Sequence, residues 1–181
     1  MTKALTVAAT LLLFTVSCSD AKKEDNMETI SDTSAAKVPS APHEYAVNAT
    51  FSSDFEIGDP TQADKVVELW KQFDENTLDK GLDYFADSVT VAMHDGWKYY
   101  GTRDSLMKLM KQKRGEYSEV NSVIVGIIPL KATDLKENWV SILGTEYTTM
   151  KNKKDSADLQ EYWRFNKEGK IDMMHSYKRK K

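Results

Sequence analysis

The chain has 181 residues, 40% of them apolar and 10% aromatic, which is enough for one domain with a substantial core. Its net charge of −3 is unevenly spread: residues 18–60 hold three basic and nine acidic side chains, and residues 61–181 hold 21 and 19. No concentrated basic face results, which argues against a nucleic-acid partner, and the single cysteine excludes an internal disulfide.

The chain begins with Lys3 followed by an apolar run from Ala4 to Val16 that ends at the small Ser17. This pattern over residues 1–17 predicts a secretory signal peptide, since a membrane span needs about 20 apolar residues. Thr15, Val16, Ser17 and Cys18 together resemble a bacterial lipoprotein processing site, although Thr15 stands where leucine is usual. That resemblance implies an acylated Cys18 as the mature N-terminus and attachment to a membrane through lipid. Lys22, Lys23, Glu24 and Asp25 resemble the short charged signal that sends lipoproteins outward in Bacteroidetes-type bacteria, which implies the outer membrane or cell surface. Residues 18–53 are rich in Ser, Thr, Ala, Asp and Lys, too polar to offset their chain entropy by burial, and are expected to form a flexible acidic tether. Rough alternation of Tyr45, Val47, Phe51, Phe55 and Ile57 predicts an extended segment laid on the domain, which is expected over 54–181.

Asp59, Pro60 and Gln62 mark a helix start, and Val66, Leu69, Trp70 and Phe73 then recur at helical spacing. A short second helix fits Leu78 to Phe85. Residues 88–93 alternate as a strand, His94, Asp95 and Gly96 turn the chain, and Trp97 to Tyr100 return. Thr102 caps a third helix whose Leu106, Leu109 and Met110 face inward, with Gly115 closing it. Strands are then expected over 119–131, 139–151, 159–166 and 171–178, the last two joined by a turn at Asn166 to Gly169. Helices first and antiparallel strands later give an α+β fold, three helices packed on a curved mixed or antiparallel sheet.

This order resembles the nuclear transport factor 2-like, or SnoaL-like, superfamily. The resemblance is carried by Tyr84 to Val89 entering the first strand, Tyr100 to Asp104 opening the third helix, and Trp163 to Ile171 at the last hairpin. It implies a cone with a pocket at its wide end, often in a homodimer. Members include isomerases, cyclases, dehydratases and non-enzymatic binding modules, so the fold alone fixes no function. In the ketosteroid isomerases of this group the proton-abstracting Asp lies in the first hairpin strand and a Tyr on the first helix assists it. Counting from Asp87 places that base at Met93, a thioether that cannot take a proton, and the first helix has no Tyr. The isomerase set does not transfer.

Three candidates for chemistry remain. Asp95 before Gly96 reads either as turn chemistry or as a reactive carboxylate near the pocket. Leu159, Glu161, Trp163 and Phe165 share one strand face, and Ile171, Met173, His175 and Tyr177 share another. Glu161 and His175 are therefore expected to meet inside the cone, as an acid–base pair or as a structural hydrogen-bonded pair. Met93, Trp97, Tyr147, Trp163 and Met173 are the expected pocket wall, with Trp139 beside Tyr147. His43, His94 and His175 lack metal-ligand spacing, and neither a phosphate loop nor a nucleophile elbow is present, so no cofactor is indicated. The expectation is a lipid-anchored envelope protein whose domain binds a small apolar ligand or a protein partner without catalysis. The alternatives are an isomerase, cyclase or dehydratase, and a homodimeric assembly module.

Overall fold

Helix α1 (Pro60–Glu75) starts where its cap chemistry dictates: the Asp59 carboxylate accepts from the Thr61 N–H at 2.9 Å, and Pro60 fills the first helical position. It ends at Asn76, whose left-handed backbone (φ 58°) returns its N–H to the last carbonyls. This is a computed structural model, and it describes residues 45–47 and 49–181. The expected signal peptide 1–17, Cys18, His43 and most of the tether lie outside the described residues.

The second helix is a 3-10 helix (Leu78–Tyr84) instead of an α-helix. Gly81 lets it lie against α1, because a Cβ there would collide with Leu69 and Gln72. Strands β2 (Phe85–Ala92) and β3 (Lys98–Thr102) form the expected hairpin. Thr102 then caps α2 (Arg103–Arg114), accepting from the Ser105 N–H. Gly115 closes α2 with ordinary right-handed backbone (φ −65°), so glycine's freedom is not what ends the helix. The buried Arg114 secures that end instead, donating to the carbonyls of Phe73, Asp74 and Tyr117.

Three long strands and a fourth follow: β4 (Glu119–Ala132), β5 (Glu137–Met150), β6 (Lys153–Phe165) and β7 (Ile171–Lys180). Strand β6 starts well before Leu159 because Lys151 and Asn152, with φ of 49° and 62°, make a two-residue hairpin turn. A short strand, β1 (Phe55–Ile57), pairs with β4 at one edge. The curved seven-stranded sheet runs β1-β4-β5-β6-β7-β2-β3 and does not close; only the β2–β7 pairing is parallel.

One irregularity decides which side chains meet. Phe165 pairs with Ile171, but Arg164 pairs with Met173, leaving Asp172 as an extra residue in β7. Such a bulge shifts every later side chain to the opposite face. Ile171, Met174, Ser176 and Lys178 therefore point towards the helices, while Met173, His175 and Tyr177 point away. Asp172 stays on the outer face, where Arg164 bridges it and Glu137 at 2.9 and 3.2 Å.

The core lies between the helices and the inner sheet face: Val66, Leu69 and Leu78 against Phe85, Val89, Ile142, Phe165 and Ile171. On the outer face, Phe51 from the end of the expected tether packs edge-on against Trp139 and His175, with ring centres 5.2 and 5.6 Å away.

Candidate functional site

Beyond the packed core, towards the ends of α1 and α2, the two layers separate and enclose a cavity of about 500 Å³. Its walls are mainly apolar: Trp70 and Phe73 from α1, Leu106, Leu109 and Met110 from α2, and Leu159, Trp163 and Met174 from the sheet. Met93, His94, Asp95 and Trp97 of the β2–β3 hairpin border it. This is the expected site type: a concave, largely apolar space with a few fixed polar groups.

Glu161 is the most deeply buried carboxylate in the wall, 7% exposed. The indole N–H groups of Trp70 and Trp163 both donate to its Oε2, at 2.8 and 3.1 Å. The first bond depends on Gly144 of β5, where a Cβ would stand 2.6 Å from the Trp70 ring and 2.7 Å from the Val123 carbonyl oxygen. Glycine thus lets the indole lie on the sheet and reach across to β6. Burial pushes the Glu161 carboxyl up to about 7; the bonds from Trp70, Ser176 and Trp163 pull against that rise, and the nearby Glu146 adds to it.

Glu146 of β5 faces the same cavity, with Lys178 of β7 at 3.7 Å. Its carboxyl is also raised, first by burial; Lys178 opposes this and Asp74 reinforces it. Asp74 is held by the backbone N–H and hydroxyl of Ser122, both at 2.8 Å, which ties the end of α1 to β4. Among the described residues no group of His, Cys, Asp and Glu is arranged to hold a metal ion.

Of the residues expected at the site, the structure brings together Glu161, Met93, Trp97, Trp163 and, at the mouth, Asp95. The Asp95 carboxylate accepts from the Trp97 N–H at 2.9 Å and Gly96 has φ 87°, so the turn chemistry is real. Glu161 and His175 do not meet. Because of the Asp172 bulge, Ser176 lies opposite Glu161, and His175 pairs with Tyr162 on the outer face. There burial holds the imidazole below its usual pKa, with Arg164 and Lys98 adding to the effect. Met173 is on that outer face for the same reason. Tyr147 is on it too, since Glu146 takes the inward position on β5, and is half-exposed.

Sequence reasoning missed Ser176, Glu146, Lys178 and the bonding role of Trp70. The alternation of Val140, Ile142, Gly144 and Glu146 carries the signal for Glu146. Lys178 is hidden in a basic terminus, and Ser176 lies beyond the bulge.

No protein-family model matches the chain, and no curated protein does. Solved structures match it in fold over about two thirds of the chain. An NTF2-like protein of unknown function from Exiguobacterium sp. 255-15 superposes with a TM-score of 0.53 at 16% identity, covering 65% of this chain and 98% of its own. An LEH-like epoxide hydrolase from M. tuberculosis gives 0.55 at 12%, covering 66% and 84%. A protein of ketosteroid isomerase-like fold from Catenulispora acidiphila, solved with trimethylamine, gives 0.50 at 16%, covering 65% and 85%. The chain has the nuclear transport factor 2-like fold, one shared by enzymes and by proteins with no assigned reaction.

Proposed function

We propose that the domain is a non-catalytic receptor for one small, mostly apolar molecule, held in the cavity with its polar end at Glu161. The observation that carries this is the deeply buried Glu161 carboxylate at the inner wall of a mainly apolar space of about 500 Å³. Glu161 is held by two indoles in place of a catalytic partner, and His175 and Tyr147 do not converge on it. The test is fluorescence titration of the full chain with 1-aminoanthracene, a neutral apolar probe. The expected result is saturable binding of one probe per chain that is lost in Leu109→Trp, which fills the cavity. Absence of saturable binding, or binding untouched by that variant, would contradict the proposal.

A second reading is an enzyme in which Glu161 exchanges a proton with substrate, favoured by a carboxyl pushed up to about 7. It predicts solvent deuterium incorporation next to the carbonyl of an enolisable ketone, abolished in Glu161→Gln. Around either site we read the chain as a lipoprotein anchored through Cys18. We also read the outer sheet face, with exposed Val123, Leu143 and Tyr147, as the docking face for a second copy.

A further inference from the structure

The charges around the cavity do not cancel, and the remainder has one sign. Lys113 pairs with Glu116 at 2.7 Å on the rim, and Lys178 lies 3.7 Å from Glu146 inside. Two carboxylates remain that make no ion pair among the described residues: Asp95 at the mouth and Glu161 at depth. Behind the wall, Asp74 and Arg114 offset each other, and Arg114 donates only to backbone carbonyls. No lining cation is left without an acidic neighbour, and His94 is exposed at the rim. The wall next to these carboxylates is rich in aromatic rings, with Trp70, Phe73, Trp97, Tyr117 and Trp163 all lining it.

We propose that the cavity's ligand is an organic ammonium ion, with its positive charge seated against Glu161 and its apolar substituents against the aromatic wall. The inference deepens the receptor reading and rests on it. A cation placed there supplies the counter-charge that the ionised Glu161 lacks, and the attraction between them is little screened in a low-dielectric site. Aromatic rings attract the same charge through their π faces, most strongly in a dry site. An ammonium carrying apolar groups uses both at once. Once Glu161 is ionised, an anion would meet two uncompensated carboxylates, and a neutral molecule would leave Glu161 without a charge partner. Asp95 at the entrance attracts the same sign and steers cations inward.

Protonation is linked to this binding. The cation favours the ionised carboxylate, so affinity rises with pH through about 7 and binding near that pH releases a proton. The groups acting on Glu161 are Trp70 on α1, Trp163 on its own strand, Ser176 on β7 and Glu146 on β5; of these, only Glu146 raises its pKa, and Lys178 in the same cavity is paired with Glu146.

The test uses two isosteres, phenyltrimethylammonium and tert-butylbenzene, as competitors of 1-aminoanthracene on the full chain. At pH 8 the ammonium is expected to bind at least about tenfold more tightly than its neutral twin. Its affinity should fall by at least about tenfold at pH 5, while that of tert-butylbenzene stays constant. Glu161→Gln should remove the preference. The pH series on the unmodified chain stands even where that variant fails to fold. Equal or tighter binding of tert-butylbenzene, or no displacement by the ammonium, would overturn the ammonium assignment and leave the apolar receptor intact. Absence of 1-aminoanthracene binding altogether would overturn both.

Discussion

At the scale of single residues, Glu161 couples the cavity to the stability of the protein. Its carboxyl titrates near 7 when folded, against an ordinary 4.5. The folded state therefore keeps a proton that the unfolded chain has already released between those values. Its favourable contribution is complete below about 4.5 and is lost as pH rises to 7, a swing of about 3 kcal/mol. Glu161→Gln removes the titration. In urea unfolding, wild type should lose stability relative to that variant between pH 4.5 and 7, and the two curves should run parallel above it. Parallel curves throughout would mean that Glu161 is not desolvated. The inward direction of Glu161 was legible in the sequence because Leu159, Trp163 and Phe165 repeat around it without interruption. Its indole partners were not, since Trp70 reaches it across a gap between layers that only Gly144 leaves open.

Strands and helices set the limits of what alternation can reveal. A period of two carried correctly through β6 and failed in β7, where Asp172 adds one residue with no apolar or glycine signature. The bulge becomes visible only with its partner, because Arg164 holds Asp172 on the outer face. Deleting Asp172 should restore strict alternation, turn His175 and Met173 inward and expose Met174. Loss of the cooperative thermal transition is expected, and an unchanged melting temperature would show that the bulge does not fix the register. Gly144→Ala tests the other device. Its methyl group meets the Trp70 ring and the Val123 carbonyl, which should cost about 1–3 kcal/mol and displace the indole from Glu161. Chemical denaturation gives the first figure, and weaker 1-aminoanthracene binding checks the second.

For the whole molecule, helix caps and the order of elements were enough to give the α+β architecture, because they are local signals that agree with one another. Where the cavity lies was not local. It depends on how far α1 and α2 diverge from the sheet, and that is set by Arg114 and Asp74 bonding between elements far apart in sequence. The proposed envelope location rests on the sequence before residue 45. Cys18→Ala should move the protein from the membrane fraction to the soluble one; retention would contradict the lipid anchor. A charge at Val123 or Tyr147 on the outer face should lower the mass seen in sedimentation if two copies pair there.

Methionine methyl groups report on the central claim most directly, because they stand on both sides of the sheet. Met93, Met110 and Met174 line the cavity, whereas Met173 faces outward and Met150 is exposed at a strand end. In the NMR spectrum of methyl-labelled protein titrated with 1-aminoanthracene, the cavity account predicts saturable shifts of Met93, Met110 and Met174, with Met150 and Met173 unmoved. Shifts confined to Met173 and Met150, or no shifts at saturating probe, would contradict it.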